Sequence, residues 1–168
     1  MGVSGLAGLV LQEPTLAGAM QDARDGKVPA LDLTAPSALR PFVVKGLVDA
    51  GRTVLAVAAT AREAEDLVTA LGGLMDPTRV AYYPAWETLP HERLSPRSDT
   101  VGRRLAVLRR LRHPGTDPSN GPLSVVVAPV RSVLQPQVKG LADLEPVELS
   151  TGDEVELDDV VRRLAGAA

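Results

Sequence analysis

Residues 53–58 (TVLAVA) and 123–128 (LSVVVA) are strand-length runs with almost no polar alternation. A strand with one wet face alternates apolar and polar residues, so runs like these are read as covered on both faces. Helical spacing lies between them. Ala64, Leu67, Val68, Leu71 and Leu74 recur at intervals suited to one helix face, and Thr60 with Glu63 forms a T-x-x-E capping box ahead of them. Strands alternating with helices give an α/β fold: a parallel sheet joined by right-handed crossovers, with helices on both faces. Residues 30–33 and 79–83 are the other two strand candidates, for a sheet of about four strands.

The rest of the chain is punctuated by proline and glycine. Pro14 interrupts two helical pieces within residues 6–23. A helix is predicted over 36–49, with Pro36 in its first turn and Pro41 near enough to its start to be tolerated or to shift it by a turn. Gly51 ends this helix, and Gly72 with Gly73 ends the next. A proline-marked loop follows at 84–96. Asp99 is positioned to cap a helix whose apolar stripe is Val101, Leu105, Leu108 and Leu111. Residues 113–122 form a turn-rich loop. A short strand at 146–149, a turn at 151–153 and a helix at 158–165 close the chain. The acids of that helix lead and Arg162 and Arg163 trail, which suits its dipole. These last elements have little to bury against. The predicted organisation is therefore a lobe over 1–140 and the start of a second, incomplete small domain over 141–168.

Composition excludes several classes of chemistry. There is no cysteine, and His91 and His113 are the two histidines, which leaves no basis for a disulfide or a thiolate or imidazole metal site. His91 stands beside Glu92, but adjacent side chains diverge and no nucleophile accompanies them, so no catalytic residue is assigned. Aromatics are Phe42, Tyr82, Tyr83 and Trp86, so the core must be aliphatic. The net charge of -3 argues against a simple nucleic-acid clamp. Charge is uneven, however: residues 93–112 hold seven arginines against Asp99, and residues 141–168 hold eight acids against Arg162 and Arg163. No apolar run is long enough to span a bilayer, and no basic region precedes the first apolar stretch. The expectation is a soluble, cytoplasmic protein with no membrane partner.

One segment imitates a phosphate-binding loop. Gly46-Leu-Val-Asp-Ala-Gly51-Arg52-Thr53 approximates G-x4-G-K-[ST], with Arg52 in the lysine position. A phosphate loop must follow a strand and open a helix, so that backbone amides and the helix dipole meet the phosphates. This segment follows a helix and opens a strand. The place for such a loop is after the strand candidate 30–33, where the sequence reads Thr34, Ala35, Pro36, Ser37, Ala38, Leu39, Arg40. It holds neither glycine for close backbone approach nor lysine for the phosphates. No Asp-Glu pair follows a strand to hold magnesium. The loop reads as degenerate, and no cofactor is expected for this segment.

Two features remain as a candidate interdomain or partner surface. Arg103, Arg104, Arg109 and Arg110, with Arg112, are placed on the polar side of one amphipathic helix, where they could meet phosphates, carboxylates of a neighbouring domain, or solvent. Trp86 sits in the aromatic-rich loop after the 79–83 strand. It could stack on a base or anchor a partner, although filling the edge of an aromatic-poor core is the favoured reading.

The segment from Tyr83 to Leu105 (YPAWETLPHERLSPRSDTVGRRL) resembles the WETLP…SP…D…RL signature of the transcription-repair coupling factors, the Mfd family. Residues 125–134 and 53–71 resemble that family's neighbouring elements, and the likeness runs over about 6–164. The resemblance implies a module similar to the excision-repair protein UvrB: a degenerate helicase-like lobe of P-loop NTPase type, interrupted by an inserted small domain. It implies a full-length ATP- and Mg-dependent DNA translocase that displaces stalled RNA polymerase and recruits UvrA. The motor would lie far downstream, and RNA polymerase and DNA would be met through downstream domains. The UvrA-contacting domain would be represented here only by about 144–164. The alternatives are a free-standing interaction module and an active nucleotide-dependent helicase lobe. The missing glycine-lysine loop speaks against the latter.

Overall fold

A computed structural model of the chain describes residues 3–27, 29–88, 95–115, 117 and 120–166. His91, Glu92 and Arg93 lie outside the described residues. At the centre is a parallel sheet of three strands, β1 (Val54–Ala58), β2 (Val80–Tyr82) and β3 (Val125–Pro129), in the order β1-β3-β2. Val54 and Val80 both stand opposite Val125, so β3 is flanked on both edges. All five β3 residues are buried, which is why its sequence shows no polar alternation.

The described residues also form seven helices: α1 (Val3–Val10), α2 (Pro14–Asp25), α3 (Arg40–Asp49), α4 (Ala61–Gly72), α5 (Ser98–Arg112), the short α6 (Val130–Leu134) and α7 (Leu157–Gly166). The connection β1-α4-β2 crosses the sheet in one direction and β2-α5-β3 steps back. A common crossover hand then puts α4 and α5 on opposite faces. They are found so. Val44 of α3 and Ala64 and Leu71 of α4 pack on Val125 and Val127, while Val107 of α5 packs with Ala81, Tyr83, Val126 and Ala128. On the α5 side, β1 is left bare, with Leu55 57% and Val57 49% exposed, so the run at 53–58 is not covered on both faces as expected: it is an edge strand, open on that side among the described residues.

Local signals set most element ends. Thr60 Oγ1 accepts from the Glu63 amide at 3.2 Å, as its capping position requires. Glu13 does the same for the Leu16 amide at 2.8 Å, with Pro14 as the first residue of α2. Pro41 lies in the first turn of α3, which starts at Arg40 after a 3₁₀ turn at Ser37–Leu39.

Four other expectations are corrected. Residues 30–33 form no strand. They are irregular and exposed, with Asp32 between Leu31 and Leu33, and two exposed leucines give a strand nothing to bury. Among the described residues the sheet consequently has three strands, not about four. Residues 146–149 are irregular as well. Finally, the buried face of α5 is not the stripe Val101, Leu105, Leu108 and Leu111. Its buried residues are Thr100, Arg104 and Val107, at i, i+4 and i+7, and Leu111 is 47% exposed. The cap position of α5 is Arg97, and Asp99 belongs to its first turn.

Candidate functional site

The segment 34–40 sits where a nucleotide loop would be sought, beside the carboxyl end of β1. Ser37, Ala38 and Arg40 share a crevice of about 640 Å³ with Ala58, Glu63 and Asp66. Arg40 is the cation of that crevice and its guanidinium is 3.8 Å from the Glu63 carboxylate. With residues 30–36 irregular, no strand leads into the segment. The crevice therefore brings together two carboxylates and one arginine that is already near one of them.

Gly46 and Arg52, of the phosphate-loop imitation, have other work. A Cβ at Gly46 would lie 2.8 Å from Leu11 Cδ2 and Met20 Sδ, so this glycine lets α3 approach α1 and α2. Gly51 follows the end of α3 with φ 83°. Arg52 Nη2 donates to the carbonyls of Ala23 and Arg24 at 3.0 and 3.1 Å, satisfying the carboxyl end of α2.

The arginines of α5 are largely engaged within the fold. Arg103 is exposed. Arg104 is 1% exposed and lies inside the molecule, so an outward polar face does not describe it. Its Cζ is 4.2 Å from the ring centroids of both Tyr83 and Trp86, and its Nη1 donates to the Pro84 carbonyl. Arg109 Nη1 donates to the Leu144 carbonyl at 2.9 Å. Arg110 donates to the carbonyls of Thr78, Asn120 and Gly121 and approaches Asp117. It thereby ties α5 to the loop before β2 and the loop before β3. Arg112 and His113 both reach Asp143 Oδ1, at 3.4 and 2.9 Å.

Trp86 is half-buried, and its placement is fixed by a residue that sequence reasoning missed. Gln135 Oε1 accepts from the Trp86 amide at 2.7 Å while Gln135 Nε2 donates to the Trp86 carbonyl at 3.2 Å. One residue on, Glu87 accepts from the Thr100 hydroxyl. The loop after β2 is thus held by α5 through Thr100 and Arg104, and by the residue after α6. No local sequence signal marks Gln135, which is 49 positions from Trp86.

The electrostatics follow from this packing. Burial pushes the Tyr83 hydroxyl above its ordinary range, against the pull of Arg104, and pulls Arg104 below its own. The Thr100 hydroxyl holds the Glu87 carboxyl low, and the His113 hydrogen bond does the same for Asp143. No group of three or more His, Cys, Asp or Glu among the described residues is arranged to hold a metal ion. None of their helices is long and apolar enough to cross a membrane.

No family model matches the chain. Curated relatives do. The chain is 48% identical over 166 residues, 99% of its length, to a protein named transcription-repair-coupling factor from Mycobacterium bovis. It matches the protein of the same name from Mycobacterium tuberculosis to the same extent. The chain spans about 13% of the length of each relative. Its sequence is that of an N-terminal segment of the transcription-repair-coupling-factor family.

Proposed function

We propose that the chain is a non-catalytic module of a transcription-repair coupling factor, serving DNA repair by positioning other parts of the machinery. The observation that carries this reading is the match, 48% identity over 99% of the chain. In the longer protein, an ATP-driven motor elsewhere in the polypeptide would displace stalled RNA polymerase along DNA. UvrA would be recruited through a small domain of which residues 141–168 are the beginning, after a UvrB-like lobe at 1–140.

Two features of the chain support a positioning role. Residues 34–40 carry no glycine and no lysine, and the crevice beside them presents Glu63 and Asp66. A triphosphate would meet like charge there. The bare side of β1 is the second feature, since parallel sheets are normally covered on both faces and exposed apolar patches mark contact surfaces. It suits a lobe that packs against other domains of the same polypeptide. With Arg104, Arg109 and Arg110 engaged internally, Arg103 is the arginine of the candidate surface best placed to meet a neighbouring carboxylate.

Titration calorimetry of the chain with Mg-ATP tests the non-catalytic reading. The expected result is no saturable heat up to millimolar nucleotide. A one-to-one isotherm would overturn it and favour an active nucleotide-dependent lobe.

A further inference from the structure

Arg104 is the largest fully buried side chain of the described residues, and no carboxylate among them pairs with it. Its Nη1 is taken by the Pro84 carbonyl, whereas Nε and Nη2 have no acceptor in hydrogen-bond geometry among the described residues, with the Tyr83 hydroxyl bearing on the same guanidinium. Buried donors are almost always satisfied in native proteins, and each exception calls for an explanation. These two atoms form one edge of the guanidinium, spaced to donate in parallel to both oxygens of a carboxylate. The rings of Tyr83 and Trp86 lie against the cation and fix its plane. A desolvated arginine edge with two donors lacking acceptors has the shape to receive a planar anion.

We propose that the Nε–Nη2 edge of Arg104 is a binding site for one carboxylate, admitted when the Trp86 ring lifts. Gln135 holds the Trp86 amide and carbonyl, so the ring can swing while the backbone stays. A carboxylate fits better than a nucleic-acid phosphate. Glu87 already places a negative charge at Thr100, one helical turn from Arg104 on the same face of α5, and it repels a strand with a charge at every phosphate more than it repels a single carboxylate. The carboxylate has two sources: Glu87 itself, released from Thr100, or an acidic side chain brought by another protein segment.

The test uses the whole chain and its single tryptophan, Trp86, as reporter. Sodium acetate is titrated against sodium chloride at equal ionic strength, following Trp86 emission and the Arg104 Nε–H resonance. Acetate should shift both saturably in the millimolar range, chloride should not, and Arg104→Lys should lose the response because an ammonium has no fork. If wild type and Glu87→Gln both respond, the site takes an external carboxylate. If only Glu87→Gln responds, Glu87 fills the edge. Both wild type and Glu87→Gln remaining silent would overturn the proposal, and this holds even where Arg104→Lys does not fold. An equal response to inorganic phosphate would also overturn it, since the edge would then be a general anion site.

Discussion

The guanidinium carbon of Arg104 lies 4.2 Å from the centroid of the Trp86 ring, and the carbonyl of Pro84, two residues before that ring, accepts from the same guanidinium. A cation of α5 therefore organises the loop that leaves β2. Arg104→Ala removes two ring contacts, each about 0.5–2 kcal/mol, together with the packing of the side-chain stem. The expected loss is about 2 kcal/mol or more in urea unfolding followed by Trp86 fluorescence. Arg104→Met should recover much of it, because a buried charge is expensive and an apolar side chain of similar length keeps the packing. Arg103→Ala, one position away and exposed, should change stability by no more than about 0.5 kcal/mol. Equal costs at 103 and 104 would refute the inward placement of Arg104. Gln135→Ala should cost about 1–2 kcal/mol, from two hydrogen bonds lost at Trp86, and shift Trp86 emission to the red.

The same helix shows where sequence stopped being informative. The continuous apolar run at β3 could be read directly, because full burial leaves no polar residues to confuse the pattern. So could the Thr60 cap and the break at Pro14, which are local effects. The orientation of α5 could not. Its apolar residues Val101, Leu105 and Leu108 recur at helical spacing, yet the buried line runs through Thr100 and Arg104. Tertiary partners after β2 reward burying a threonine and an arginine there, and those partners are distant in sequence. The strand candidate at 30–33 failed for the complementary reason. Its residues have strand composition but no neighbouring strand to pair with and no core to cover. Within the candidate site, the lack of glycine and lysine at residues 34–40 was legible from composition, whereas the internal engagement of Arg109 and Arg110 depends on carbonyls of Leu144, Thr78 and Gly121.

Two glycines should respond in opposite directions to alanine. Gly102 lies within α5 and a Cβ there meets nothing within 4 Å. Gly102→Ala should stabilise the chain by about 0.5–1 kcal/mol, because the unfolded state loses freedom and the helix gains propensity. At Gly46 the added Cβ falls 2.8 Å from Leu11 Cδ2 and Met20 Sδ. Both atoms lie in the outer part of side chains that can shift, so Gly46→Ala should cost about 1–3 kcal/mol without abolishing folding. Thermal unfolding of the pair checks this, and a stabilising Gly46→Ala would remove the close α1–α2–α3 approach from the account.

Acid should weaken the fold through Glu87 and Asp143. Each carboxyl is held below its ordinary value in the folded state, the first chiefly by the Thr100 hydroxyl and the second chiefly by the His113 hydrogen bond. A depressed folded value means that the unfolded chain takes up protons first as pH falls. The stabilisation is complete above the ordinary carboxylate range, near pH 4, and is lost as pH drops through the depressed folded values. Melting temperature measured from pH 7 down to pH 3 should therefore fall at the acid end. Glu87→Gln and Asp143→Asn should each flatten that fall while lowering stability slightly at pH 7. An unchanged acid limb in both variants would remove these two contacts from the explanation.

The bare side of β1 gives the last expectation. Leu55 and Val57 point away from α3 and α4 and are 57% and 49% exposed on an edge strand. Edge strands with apolar faces are templates for association unless something covers or charges them. Beside them, Leu111 and Val133 line an apolar hollow of about 320 Å³ that also includes Leu55. Leu55→Lys should leave the stability of the isolated chain within about 0.5 kcal/mol, since little burial is lost. It should also reduce concentration-dependent self-association in sedimentation velocity. In a longer polypeptide where another domain covers this face, as proposed, the same substitution should instead be costly, because the lysine would be forced against an apolar partner surface. A Leu55→Lys chain that unfolds on its own would show that this face is packed within the segment, and would remove the support it lends to an interdomain contact.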